Sequence, residues 1–203
     1  MSHYPLHLIT DNRIEKLPDL ISEVVSGCIS IIQLRNKHAD KLVLYEVGKK
    51  ILKILKPKKI PLIINDHIDL ALALDADGVH IGQTDLPYNQ ARKILGKNKI
   101  IGLSIQTLEH AKKAEKYDAD YFGVGPVFHT NTKSDAFTLG VNQFQEITQL
   151  LKKPCIAIGG IKIADVKTIL SHGAQGIAVV SGICAAANPR LATINYIKEL
   201  SNA

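Results

Sequence analysis

Between Leu6 and the C-terminus, short runs rich in Ile, Val and Leu alternate eight times with longer stretches of helical period. A chain that repeats strand then helix is driven toward a parallel sheet covered by helices. The expected strands are Leu6–Thr10, Ile29–Leu34, Pro61–Ile64, Gly78–Ile81, Lys99–Leu103, Tyr121–Val124, Cys155–Ile158 and Gly176–Val180. The expected helices are Leu17–Val25, Asp40–Leu55 with Asp40 as its cap, Ile68–Leu74, one opened by Pro87, Thr107–Lys116, Val141–Lys152, Ala164–His172 and Pro189–Leu200. With 203 residues, each unit has about 25, the compact end of what a (β/α)8 TIM barrel requires. An open doubly wound sheet shares the alternation. The barrel is favoured because the count reaches eight and polar or glycine-rich residues follow most strands on the same, carboxyl side. No linker or composition break divides the chain, so one domain spanning 1–203 is expected.

Several functional classes are excluded at this level. The net charge of +6 favours anionic partners, but Lys49, Lys50, Lys53, Lys56, Lys58 and Lys59 crowd one helix-like segment and read as a solvated face. With no Trp and 5% aromatic residues, no basic run is interleaved with stacking side chains, which argues against nucleic acid. Cys28, Cys155 and Cys184 sit far apart among apolar neighbours without metal spacing, as buried thiols of a reducing compartment do. No apolar stretch approaches membrane-spanning length and no targeting segment opens the chain, so a cytoplasmic protein acting on small molecules is expected; a homo-oligomer stays open.

A barrel would gather the residues after its strands at one mouth. Asp66 and Asp85 follow strands three and four, where two hard carboxylates could hold Mg2+ beside a diphosphate or, alternatively, cap the helices that come next. Arg35 offers a planar fork and Lys37 a mobile charge after strand two, for phosphate or for solvent. Gln33 and Asn65 carry amides suited to a nitrogen heterocycle, although Gln33 would also serve as a satisfied interior residue. The loop Thr130-Asn131-Thr132-Lys133 combines hydroxyls, an amide and an ammonium, a set that suits an anion as well as a polar surface. The glycine-rich turns Ile158-Gly159-Gly160-Ile161 and Val180-Ser181-Gly182-Ile183, after strands seven and eight, stand where phosphate-binding barrels seat a phosphate. The eight histidines form no metal motif, and only His129, in the central loop, draws notice.

Taken together, Gln33-Leu34-Arg35-Asn36-Lys37, Asn65-Asp66, the HIGQTD of His80–Asp85, Ser104, the GPVFHTNTK of Gly125–Lys133, AIGGI at Ala157–Ile161 and VVSGI at Val179–Ile183 resemble the thiamine-phosphate synthase family. The matches run in the family's order across the whole chain. The resemblance implies a Mg2+-dependent transferase joining 4-amino-2-methyl-5-hydroxymethylpyrimidine diphosphate to 4-methyl-5-(2-phosphoethyl)thiazole, in its carboxylated form, with release of pyrophosphate. It assigns Gln33, Leu34, Arg35, Asn36, Lys37, Asn65, Ser104 and Lys133 to the pyrimidine diphosphate, and Thr130, Asn131, Thr132, Gly160, Val180 and Ser181 to the thiazole phosphate. Asp66 and Asp85 would hold Mg2+, and Arg35, Lys37 and Lys133 would neutralise the departing pyrophosphate. Two positions depart from the family pattern: Asn36 replaces an acidic residue and Gln106 a histidine. A thiazole tautomerase of the same barrel group and a non-catalytic phosphate-binding barrel are the rival expectations. Both leave the carboxylate pair unexplained.

Overall fold

The computed structural model describes residues 5–11, 16–130 and 138–202. Eight parallel strands close into a barrel in sequence order, β1 (Leu6–Ile9), β2 (Ile31–Leu34), β3 (Leu62–Asn65), β4 (Gly78–Ile81), β5 (Ile100–Ile105), β6 (Tyr121–Val124), β7 (Cys155–Ile158) and β8 (Gly176–Val179), with β8 pairing back to β1. The described helices are α1 (Leu17–Val24), α2 (Lys41–Leu55), α3 (Ile68–Leu74), α4 (Tyr88–Leu95), α5 (Leu108–Ala114), α6 (Gly140–Leu150), α7 (Val166–Ser171), α8 (Ser181–Cys184) and α9 (Pro189–Ser201). The barrel is therefore the architecture, and the open sheet is not. Among the described residues no helix is long and apolar enough to cross a membrane.

Strand parity sorts the side chains into two layers. Leu6 and Leu8 of β1, Ile32 and Leu34 of β2 and Phe122 and Val124 of β6 pack with the helices in the large apolar shell. Their alternates point inward, where Ile9, Tyr121, Ile156 and Ala178 form a small separate cluster. Helices complete the shell by periodicity: α2 buries Leu44, Gly48, Ile51, Leu52 and Leu55, while Lys49, Lys50 and Lys53 are exposed with Lys56, Lys58 and Lys59 beyond them. The charge of that segment is a solvated face.

At the amino rim the strands are fastened by a repeated device. The residue just before each even-numbered strand bonds reciprocally to one residue at the start of the preceding odd strand. The Asp77 N–H donates to the Leu62 carbonyl at 3.0 Å and its carboxylate accepts the Leu62 N–H at 2.8 Å. Asp120 does the same with Ile101, Gln175 with Cys155, and Ser30 with Leu6. These clips satisfy main-chain donors that strand pairing leaves over at a sheet end.

Several boundaries differ from expectation, three of them for a local reason. Strand β5 runs on through Ser104 to Ile105, because Ser104 faces the interior and its polarity does not end the ladder; Ser104 pairs with Gly123. Strand β2 begins at Ile31, since Cys28 adopts φ 68° at the end of a 3-10 turn and delays the extended backbone. β8 stops at Val179, and Val180 instead is the N-cap residue of the four-residue α8. Asp40 stands at the N-cap position of α2, yet its side chain makes no capping bond. Caps that do form are Thr107 on α5, which accepts the His110 N–H, and Asn188 on α9, which accepts the Leu191 N–H.

Candidate active site

The carboxyl ends of β2, β3 and β4 bring the predicted charges together. Arg35 is anchored through its main chain: Thr10, itself 1% exposed, accepts the Arg35 N–H at 2.9 Å and donates to the Arg35 carbonyl at 3.1 Å. That bracket extends the β1–β2 ladder one step past the strand and leaves half-buried Arg35 at the rim. Asn36 has a structural use, because its side-chain oxygen accepts the N–H groups of His38 and Ala39 at 3.0 and 3.1 Å and folds the loop. The amide thus serves the fold of its own loop. Leu34 turns its side chain into the helix-facing shell, 2% exposed, so a ligand could meet only its main chain.

Asp66 occupies the left-handed region at φ 63°, with its N–H on the His80 carbonyl at 2.9 Å. Aspartate tolerates this conformation better than most residues. The turn aims its half-buried carboxylate at Asp85 rather than at α3, whose N-cap residue is His67 and which has no side-chain cap. Asp85 does not cap α4 either, since its carboxylate accepts the Gly82 N–H at 2.6 Å and so ties its own loop. The helix-cap alternative fails for both residues. Burial first, and then the facing Asp85, push the Asp66 carboxyl above the usual carboxylate range, opposed by Lys37, whose Nζ lies 3.6 Å from it. A half-buried carboxylate whose proton affinity is raised by a facing carboxylate, with a lysine alongside, forms a site that gains from a small hard cation. The donor set is oxygen only, and among the described residues no third His, Cys, Asp or Glu joins it. It fits Mg2+ that takes its remaining ligands from phosphate and water.

Ser104 and Asn65 point into the same mouth from β5 and β3. Local patterning gives Ser104 no role apart from the resemblance. The structure surrounds it with two further side chains to which the sequence assigns no role: His80 Nε2 is 2.9 Å from its hydroxyl, and Gln83 donates to its carbonyl at 2.5 Å. Gln106 lies just beyond β5, where its N–H meets Nδ1 of His110 at 3.3 Å.

On the far side of the mouth, Val127 and Phe128 donate to the carbonyls of Ile158 and Gly159 at 2.9 and 3.0 Å, which zips the stem of the sixth loop to the end of β7. Gly160 adopts φ 66° in this contact, and a Cβ there would overlap the His129 carbonyl oxygen. Ser181 and Gly182 open α8, so their N–H groups belong to a first helical turn with no intrahelical acceptor. Beneath both turns, Tyr196 of α9 donates to the Ile161 carbonyl at 3.0 Å and fills the space beside Gly182. Thr130 and Val180 are half-buried at this rim. Asn131, Thr132 and Lys133 lie outside the described residues.

A closed (β/α)8 barrel with cations, a carboxylate pair and glycine turns collected at the carboxyl ends of its strands belongs to the class of barrel enzymes. Residues 6–183 match the family described as Thiamine monophosphate synthase. The chain belongs to that family. It is 43% identical over 196 residues to the thiamine-phosphate synthase of Methanobrevibacter smithii, covering 96% of this chain and 94% of that one. It is 45% identical over 186 residues to the thiamine-phosphate synthase of Clostridium acetobutylicum, covering 90% and 88%. Among solved structures, the thiamine phosphate pyrophosphorylase from Pyrococcus furiosus superposes with a TM-score of 0.91 at 36% identity, over 98% of this chain and 96% of that one. A 3-hexulose-6-phosphate synthase, at 16% identity and a TM-score of 0.73, shares the fold.

Proposed function

We propose that the protein is a thiamine-phosphate synthase, a transferase that joins the hydroxymethylpyrimidine diphosphate to the thiazole phosphate and releases pyrophosphate. The observation that carries this reading is the pairing of Asp66 with Asp85 beside Lys37. That arrangement suits a diphosphate bridged by a divalent cation, and a tautomerase, having no diphosphate leaving group, would not need it.

In the reaction the carbon–oxygen bond to the diphosphate breaks, with its electron pair leaving on the diphosphate oxygen. The lone pair of the thiazole nitrogen then forms the new carbon–nitrogen bond. The aminopyrimidine donates electron density to the carbon left behind, so no protein nucleophile is needed; the enzyme has to neutralise the leaving group and align two substrates. Mg2+ held by Asp66 and Asp85 would supply charge neutralisation at the diphosphate. Arg35, with its main chain bracketed by Thr10, presents a fork to two phosphate oxygens, and Lys37 spans from Asp66 to the same anion. Lys133 would add a third cation. Gln33 and Asn65 would read the pyrimidine edge. Thr130, Asn131 and Thr132, with the main chains of Gly160, Val180 and Ser181, would seat the thiazole phosphate and so aim its nitrogen. A carboxylated thiazole would lose carbon dioxide in the course of turnover. The protein's setting would be the cytoplasm.

The test is pyrophosphate release by purified protein with both substrates and Mg2+, beside Asp85→Ala. Release that requires both substrates and collapses in the variant supports the reading. A folded protein that releases none with Mg2+ or Mn2+ overturns it and directs attention to thiazole tautomerisation.

A further inference from the structure

Inside the barrel, four polar side chains from four strands form a chain that ends at the mouth. Gln33 of β2 bonds to the phenol of Tyr121 on β6. The Tyr121 hydroxyl lies 3.1 Å from His80 Nδ1 on β4, and His80 Nε2 lies 2.9 Å from the Ser104 hydroxyl on β5. The contact between β4 and β6 skips β5 in the sheet, so it crosses the interior. The His80 and Tyr121 rings stack with centroids 5.5 Å apart at 29°, and His7 meets Tyr121 edge-on at 4.9 Å. Two glycines make the room. A Cβ on Gly102 would overlap Tyr121 Cζ and fall 2.6 Å from His80 Nδ1, and one on Gly123 would fall 2.9 Å from His80 Cε1. β5, which lies between the two ring-bearing strands, and β6, which carries Tyr121, have each given up a side chain where the rings lie.

The direction of the chain follows from its buried end. Burial keeps the Tyr121 phenol protonated, and the NH2 group of Gln33 is a donor that its oxygen can accept. The phenol hydrogen then goes to His80 Nδ1. An accepting Nδ1 places the imidazole proton on Nε2, which donates to Ser104 Oγ. With that lone pair taken, the Ser104 hydrogen is left to point away from His80, into the mouth. The reverse polarity would spend the serine hydrogen on His80 and turn a lone pair toward an anionic substrate.

We propose that His80 and Tyr121 are positioning residues whose hydrogen-bond chain holds the Ser104 hydroxyl as a donor aimed at a diphosphate oxygen. The proposal rests on the assignment of Ser104 to the diphosphate, and its consequence is a hydrogen bond oriented before charge develops on the leaving group.

Two measurements test it. Histidine 15N NMR, with His80 assigned through its loss in His80→Gln, should find Nε2–H with an unprotonated, hydrogen-bonded Nδ1, and Tyr121→Phe should convert His80 to mixed tautomers. Steady-state kinetics should find kcat lowered about 10-fold in Tyr121→Phe and in His80→Ala, with KM changed by less than about twofold. His80→Gln, whose amide can imitate the Nε2–H donor, should recover part of the loss. In a Ser104→Ala background, Tyr121→Phe should cost nothing further. An Nδ1–H tautomer at His80, or a Tyr121→Phe loss that persists undiminished without the serine hydroxyl, would overturn the proposal. If the wild-type protein has no synthase turnover, the functional reading falls by itself and the tautomer measurement alone decides the chain.

Discussion

Replacing Asp77 with alanine should destabilise the protein far more than its exposed position suggests. The Asp77 carboxylate is the acceptor for the N–H of Leu62, a residue with no exposed surface, at 2.8 Å. Losing it strands a donor at the start of β3, and a buried hydrogen bond to a charged acceptor contributes about 1.5–3 kcal/mol. For a domain of this size each kcal/mol moves the melting midpoint by about 2–4 °C, so a fall of about 3–12 °C is expected. Thermal and urea unfolding should agree, with an unchanged urea m-value. Asp77→Asn keeps an oxygen that can accept the same N–H and should recover most of the loss. Asp75→Ala, which removes an exposed carboxylate paired with Lys99 at 2.6 Å, should have the smaller effect. Asp77 lies at the rim opposite the mouth, so kcat measured well below the midpoint should not change. Equal shifts for Asp77→Ala and Asp75→Ala, or an asparagine as damaging as alanine, would refute the clip as a stabilising device.

Other expectations concern the mouth and the core. Asp66→Asn should reduce turnover by about 100-fold or more, yet raise the melting midpoint of the metal-free protein at pH 7. Because the folded state raises the Asp66 pKa, its ionisation costs stability as pH rises through the carboxylate range, so the gain should vanish near pH 3, where both states carry the proton. Gly160→Ala forces a Cβ onto the His129 carbonyl from a positive φ and should raise KM for the thiazole phosphate about 10-fold while sparing that for the pyrimidine diphosphate. Burial pushes the Cys155 thiol up to about 12, so at pH 8 an alkylating reagent should modify exposed Cys28 and reach Cys155 only after unfolding. Mass spectrometry of the labelled peptides reads this directly.

The strands that the sequence marks most sharply are those bounded by glycine, proline or a charged turn. β4, β6 and β7 begin and end at the residues the patterns indicate, as does α3. β5 was harder to read because Ser104 interrupts an apolar run, and a polar residue that faces a barrel interior looks locally like a strand end. The four residues of α8 are too few to carry a helical period. At the site, the carboxylates and cations were legible because each follows a strand and all strands end on one side. The roles of His80, Tyr121 and Gln83 were not. Each partner lies on another strand, so nothing in the local periodicity of HIGQ or YFGV encodes the contact across the interior. Asn36 shows the converse case, where a loop-forming amide stands at a position that resemblance assigns to a ligand.

The amino-rim clips join β1 to β2, β3 to β4, β5 to β6 and β7 to β8, and among the described residues no such reciprocal clip spans the junctions between these pairs. The chain is thus modular in quarters, each a two-strand unit carrying its own fastening. A polypeptide divided between α2 and β3, or between α6 and β7, keeps every clip within one fragment, whereas a break between β3 and β4 separates Leu62 from Asp77. Fragment complementation and circular permutation should therefore succeed at the first kind of junction and fail at the second.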